Sequence, residues 1–126
     1  MRKNLAVVLG GLLFAVVPLA AHHSVSGEYD PAKPVTIKGT VSKVEWTNPH
    51  ARIYVDVTDA SGKKTTWNFE LAARSALTRQ GWTGTSVKVG DAVTVEADAA
   101  RSGIPGGHTR SVILADGTKA FSGAND

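Results

Sequence analysis

The chain has 126 residues, no cysteine, and 14 Lys+Arg against 11 Asp+Glu, a formal charge of +3. The lack of cysteine excludes disulfide staples, thiolate metal sites and thiol nucleophiles, so stability must come from a packed core. Two of the cations, Arg2 and Lys3, stand at the extreme N-terminus; the remainder is close to neutral and lacks the clustered charge that nucleic acid binding requires.

Residues 1–21 have the layout of a signal peptide. Arg2 and Lys3 form a positive start, residues 5–17 form an apolar run too short for a comfortable membrane span, and Pro18 breaks it ahead of Leu19-Ala20-Ala21. Cleavage after Ala20 would put Pro18 where a small residue is wanted, so the Ala21–His22 bond is the expected cut. An uncleaved N-terminal anchor is the alternative. The expectation is a periplasmic or secreted protein with no stable membrane anchor after cleavage. What remains is about 100 residues, enough for one small domain.

Residues 22–34 lack a sustained apolar period and contain Pro31 and Pro34, which predicts an irregular N-terminal arm anchored only by Val25 and Tyr29. From Val35 to Val41 apolar and polar residues alternate, as in a half-buried strand. The phase slips at Ser42-Lys43 and resumes on the other parity at Val44 and Trp46, which predicts a β-bulge, with Gly39 easing the bend. Thr47-Asn-Pro-His50 is a turn fixed by Pro49. Ile53, Val55 and Val57 mark a second strand, residues 59–62 a hairpin, and Thr65, Trp67 and Phe69 a third strand with Thr66, Asn68 and Glu70 on its opposite face. Residues 71–80 are the one helical candidate, with Gly81 placed to end it and Trp82 to fold back onto the core. Val93, Val95 and Ala97 form a fourth strand. Gly103, Pro105, Gly106 and Gly107 mark residues 99–109 as a flexible loop. Residues 111–114 give a fifth strand, Lys119 and Phe121 a short last segment, and residues 122–126 a frayed tail. Three strands, a short helix and two more strands match a small five-stranded OB-like barrel over residues 35–121; an open sandwich is the alternative.

Four histidines carry the most direct chemical signal: His22, His23, His50 and His108. A chain beginning at His22 presents an α-amine and its own imidazole, with ordinary pKa values of about 8 and 6.5, so both are available as neutral donors near pH 7. The amine and Nδ1 of one residue close a six-membered ring on a metal, and a third nitrogen makes a T-shaped set. Tetragonal nitrogen ligation favours Cu(II) among first-row ions. His50, in a proline-fixed turn between strands, is the preferred third ligand. His23 follows, either binding directly or stacking nearby, and His108, in the glycine-rich loop, ranks last. The plainer reading leaves His22 and His23 as a solvated pair and has His50 satisfy its turn.

Trp67 shares parity with Thr65 and Phe69 and reads as core; the other role for Trp46, Trp67 and Trp82 is an aromatic ligand platform. Glu70 has three functional options: a metal ligand, a partner for Arg79, or a general base. An exposed strand-end residue is the commonest case for such a carboxylate. No catalytic triad, paired-carboxylate spacing, P-loop or dinucleotide fingerprint is present.

Ala-His-His-Ser at 21–24, Lys-Gly-Thr-Val at 38–41, Glu-Trp-Thr-Asn-Pro-His-Ala at 45–51, Ile-Tyr-Val-Asp-Val at 53–57, Phe-Glu-Leu at 69–71, Gly81-Trp82 and Lys-Val-Gly-Asp at 88–91 together resemble a family of small exported bacterial proteins catalogued as domain of unknown function 6152. The resemblance implies a periplasmic OB-like β domain and no established activity. Two departures stand out: Arg52 occupies a position where the family pattern has an aromatic, and Ala-Ala-Arg-Ser replaces a Pro-Asn turn after Glu70-Leu71.

The residues thus point to a periplasmic metal-binding protein, a copper carrier, buffer or sensor using His22, His50 and His23, with a periplasmic protein as a further partner. A metal-free OB-like module binding a small ligand, glycan or protein is the alternative. A copper-dependent oxidative enzyme ranks lower, because a domain this small offers little surface for a substrate cleft.

Overall fold

The structure, a computed structural model, describes residues 25–121. The predicted signal segment 1–21, His22, His23 and the predicted tail 122–126 lie outside the described residues. The fold is mostly β. Six strands run in the order β1 (Tyr29–Glu45), β2 (Arg52–Thr58), β3 (Lys64–Glu70), β4 (Ala92–Ala100), β5 (Gly106–Leu114) and β6 (Lys119–Phe121), with a short helix α1 (Arg74–Arg79) between β3 and β4. A single helical turn at residues 25–28 precedes β1.

Pairing closes the first five strands into a ring. β1 joins β2 and β4, β2 joins β3, β4 joins β5, and a parallel pairing of β3 with β5 completes the circuit; β6 extends the outside of β5. β1 serves two neighbours because it is 17 residues long and bent. Its first part pairs with β4 and its last part with β2, and Thr40 is shared between Ala92 and Asp56. The bend has two sources. The register slips between Val41 and Lys43, the bulge that the broken alternation predicts. At Gly39 a Cβ would collide with the Asp56 carbonyl oxygen and lie 2.8 Å from Val55 Cγ1, so only glycine lets the strands approach so closely.

The core follows the predicted parities. Val41, Ile53, Val55, Phe69, Val93, Val95 and Val112 are buried inside the ring, and Leu71, Leu77, Trp82 and Val87 close it from the side of α1. Trp67 stacks on Phe69 with ring centroids 5.8 Å apart and packs against this core. α1 is shorter than the predicted 71–80, because Leu71 and Ala72 instead continue the sheet through Leu71 N–H to the Ala51 carbonyl (2.8 Å) and Ala51 N–H to the Ala72 carbonyl (3.2 Å). Its end is as expected. Gly81 has φ +91°, Gly81 N–H donates to the Thr78 carbonyl, and Trp82 N–H donates to the Leu77 carbonyl, a Schellman motif that carries buried Trp82 onto buried Leu77. Among the described residues no helix is long and apolar enough to cross a membrane.

Two segments differ from the expectation. β1 begins at Tyr29, within the stretch predicted to be an irregular arm. Tyr29 and Asp30 pair with Ala100 and Ala99, and Pro31 falls in the register break before pairing resumes at Pro34, the kind of position where a missing N–H costs nothing. The predicted loop 99–109 is also largely strand. β4 runs to Ala100 and β5 starts at Gly106. Gly106 and Gly107 are there for close approach and not for flexibility: a Cβ would stand 2.9 Å from the Asn68 carbonyl oxygen in one case and 2.7 Å from that of Asp98 in the other. Gly107→Ala is therefore expected to force β4 and β5 apart and to cost about 1–3 kcal/mol, the range for overpacking a tight site, measured as a lower urea midpoint with unchanged slope.

Candidate functional site

The ring closure places a charged side chain where charge is rare. Glu70 is the last residue of β3 and is only 4% exposed. A buried carboxylate is tolerated only with donors around it, and three groups converge here. Arg52 Nη2 and the Tyr29 hydroxyl each donate to Oε2 at 2.9 Å, and His50 Nδ1 lies 3.0 Å from Oε1. Arg52 is steadied in turn by Nη1 to Asn68 Oδ1 at 3.3 Å. The sequence reading of Glu70 as most commonly an exposed strand end is corrected: Tyr29, arriving at the head of β1, covers it. Its cationic partner is Arg52.

Each donor is positioned by a different element. Arg52 opens β2 and is the register partner of Glu70. His50 ends the turn between β1 and β2, where the Asn48–Pro49 peptide is cis and Thr47 Oγ1 donates to the His50 carbonyl at 3.3 Å. The next residue, Ala51, is fully buried and locked to Leu71 and Ala72, so the backbone beneath the imidazole is fixed while the side chain remains 39% exposed. Tyr29 is 5% exposed. Burial first, and then its hydrogen bond to Glu70, push its phenol above the ordinary value. The Glu70 charge raises the Arg52 pKa against the opposing effect of Arg52's own burial.

His108 belongs to the same neighbourhood. It is the register partner of Glu70 across the parallel β3–β5 pairing, and its ring lies 5.5 Å from that of Tyr29. The expectation that it lies in a flexible glycine-rich loop is corrected: it stands within β5, directly after the tightly packed Gly106 and Gly107. Of the predicted ligands, His50 lies at this cluster, while His22 and His23 lie outside the described residues. Among the described residues no group of three or more His, Asp or Glu side chains is arranged to hold a metal ion; a site here needs donors from elsewhere, and the chain segment before Tyr29 is the nearest in sequence.

That segment is tied down close by. Arg101, just after β4, donates from its backbone N–H to the Glu28 carbonyl and from Nε to the Ser26 carbonyl, both at 2.9 Å, and pairs with Asp30 at 3.4 Å. Arg110 pairs with Asp98 at 2.5 Å and reaches the Pro31 carbonyl at 3.3 Å. The sequence reading missed Tyr29, Arg52 and Asn68 as site residues. Counting back from a hairpin at 59–62 puts Arg52 opposite Phe69; the actual connection spans 59–63, with Thr58 opposite Lys64, and this brings Arg52 opposite Glu70, while nothing local in the sequence announces Tyr29.

Tyr29→Phe is expected to cost about 1.5–3 kcal/mol, the worth of a hydrogen bond to a charged acceptor, and Glu70→Ala about 3 kcal/mol, since three donors lose their acceptor. Both are read by urea denaturation. A phenol whose pKa is raised on folding contributes stability that is complete below its unfolded value near 10 and is lost as pH rises through the folded value. Wild-type stability should thus decline above about pH 10, and Tyr29→Phe should flatten that decline.

No curated protein and no solved structure matches the chain. A family model does, across residues 11–109, from within the apolar run to the middle of β5. The segment includes every residue of the Glu70 cluster. The chain belongs to the family of unknown function DUF6152.

Proposed function

We propose that this is an exported metal-binding protein, a carrier, buffer or sensor for Cu(II), in which the N-terminal His22 of the processed chain supplies its amine and imidazole, His50 supplies a third nitrogen and His23 assists. The observation that carries this reading is the chain Tyr29–Glu70–His50. Tyr29 is seven residues from His22 in sequence and shares one carboxylate with His50. With residues 25–28 helical and each of residues 22–24 able to span at most about 3.3 Å, chain length alone limits His22 to roughly 15 Å from the head of β1. The ties from Arg101 to the Ser26 and Glu28 carbonyls anchor the base of that arm beside Tyr29. An all-nitrogen tetragonal set favours copper over zinc.

The surrounding fold reads as an OB-like barrel: a five-stranded ring closed by β3 on β5, with α1 between β3 and β4. Periplasmic or secreted location follows from the leader pattern, and a periplasmic partner that delivers or accepts the metal follows from a carrier role. A second reading, a metal-free module for a small ligand, draws on a cavity of about 1160 Å³ whose walls include Trp82, Val87, His108, Thr109 and Leu114.

Calorimetry and electron paramagnetic resonance on protein with a verified His22 start should give sub-micromolar Cu(II) affinity and a nitrogen-ligated tetragonal spectrum. His50→Ala should weaken binding at least tenfold. An extra alanine ahead of His22 should do so too, because it converts the chelating amine into an amide. Equal affinity with and without that alanine would end the copper reading.

A further inference from the structure

Glu70 does more than neutralise Arg52. We infer that Glu70 is a positioning residue that fixes which nitrogen of His50 is open to a ligand, a deepening that rests on the metal reading above. Oε2 is already occupied by two donors, the Tyr29 hydroxyl and Arg52 Nη2, each at 2.9 Å. A guanidinium does not give up its proton and the phenol is held protonated by burial and by Glu70, so both must donate. Oε1 faces His50 Nδ1 at 3.0 Å, and a carboxylate with no hydrogen of its own can only accept there. Nδ1 therefore carries the hydrogen, and Nε2, on the far side of a ring 39% exposed, keeps its lone pair for a metal. A carboxylate behind a ligating histidine fixes the ring's orientation and raises its basicity as a ligand. Asn68 takes part at one remove, through Arg52 Nη1.

The same arithmetic of donors and acceptors predicts what an isosteric change does. In Glu70→Gln the amide has one acceptor and one donor end. Tyr29 and Arg52 both require an acceptor, so the oxygen turns to them and the NH2 turns to His50. Nδ1 must then accept, the hydrogen moves to Nε2, and the Nε2 lone pair is lost. Glu70→Gln thus reverses the tautomer without removing an atom from the core.

The experiment has two arms. Long-range proton–nitrogen NMR on metal-free, nitrogen-15-labelled protein reads the His50 tautomer: wild type should show hydrogen on Nδ1, and Glu70→Gln hydrogen on Nε2. Copper(II) titration of His22-start protein should show affinity lower by about ten- to a hundredfold in Glu70→Gln, the usual effect of removing a ligand's hydrogen-bonding partner, with an altered paramagnetic resonance spectrum. Tyr29→Phe, which leaves the Oε1 contact intact, should keep the wild-type tautomer. Wild-type protein with hydrogen on Nε2 overturns the inference, a result that stands even if Glu70→Gln does not fold. So does a folded Glu70→Gln with wild-type copper affinity and spectrum. Wild-type protein that binds no copper sinks the metal reading and the ligand role of Nε2 with it, while the tautomer result still judges the orienting role of Glu70.

Discussion

A carboxylate taken out of water must be repaid in hydrogen bonds, and at Glu70 that requirement organises the open end of the ring. The acceptor sits at the last residue of β3, and its donors come from the first residue of β1, the turn before β2 and the first residue of β2. None of these positions neighbours another in the chain except His50 and Arg52. A charged group in this setting is a poor way to gain stability, since an apolar replacement of matching shape is often as good. It is an effective way to specify an arrangement, because any other placement of Tyr29, His50 or Arg52 leaves the charge without partners. The ends of three strands are thereby fixed relative to one another by one side chain.

This arrangement connects packing to proposed chemistry. Ala51 and Leu71 lock the backbone next to His50, and the carboxylate orients its ring, so the imidazole needs little further ordering to bind. The arm is treated differently: its base is pinned by Arg101, while its beginning would carry the donors that the metal reading requires. In the proposed metal reading, a fixed half-site at His50 would be completed by donors from the arm, which would suit a protein that takes up and releases an ion.

Much of this was legible in the sequence because it rests on short-range pattern. The slip at Ser42-Lys43 announced the bulge, Gly81 announced the helix end, and the parity of Thr65, Trp67 and Phe69 announced the core face. What was not legible depends on contacts distant in sequence. Glu70 looks like a solvent-facing strand end until Tyr29, 41 residues away, is brought over it. Gly106 and Gly107 suggest mobility when read locally, yet they are required by the approach of Asn68 and Asp98. His108 was placed in a loop for the same reason, although it stands in β5, and Arg52, noticed only as a departure from the family pattern, turns out to be the counter-ion. The two aromatic and basic residues that complete the cluster could be found only once the strand order was known.

The pairing of β3 with β5 spans just three register positions, Asn68 with Gly106, Phe69 with Gly107 and Glu70 with His108, whereas β1 and β4 are joined over nine. It is the shortest stitch in the circuit, and two of its six residues have no side chain to reinforce it. Local unzipping should begin there. Because Glu70 is itself one of the stitched residues, parting these strands also hydrates the carboxylate and frees the imidazole at position 50. Breathing of the strand ring and disassembly of the polar cluster would then be one event, and amide hydrogen exchange along 68–70 and 106–108 would report both at once.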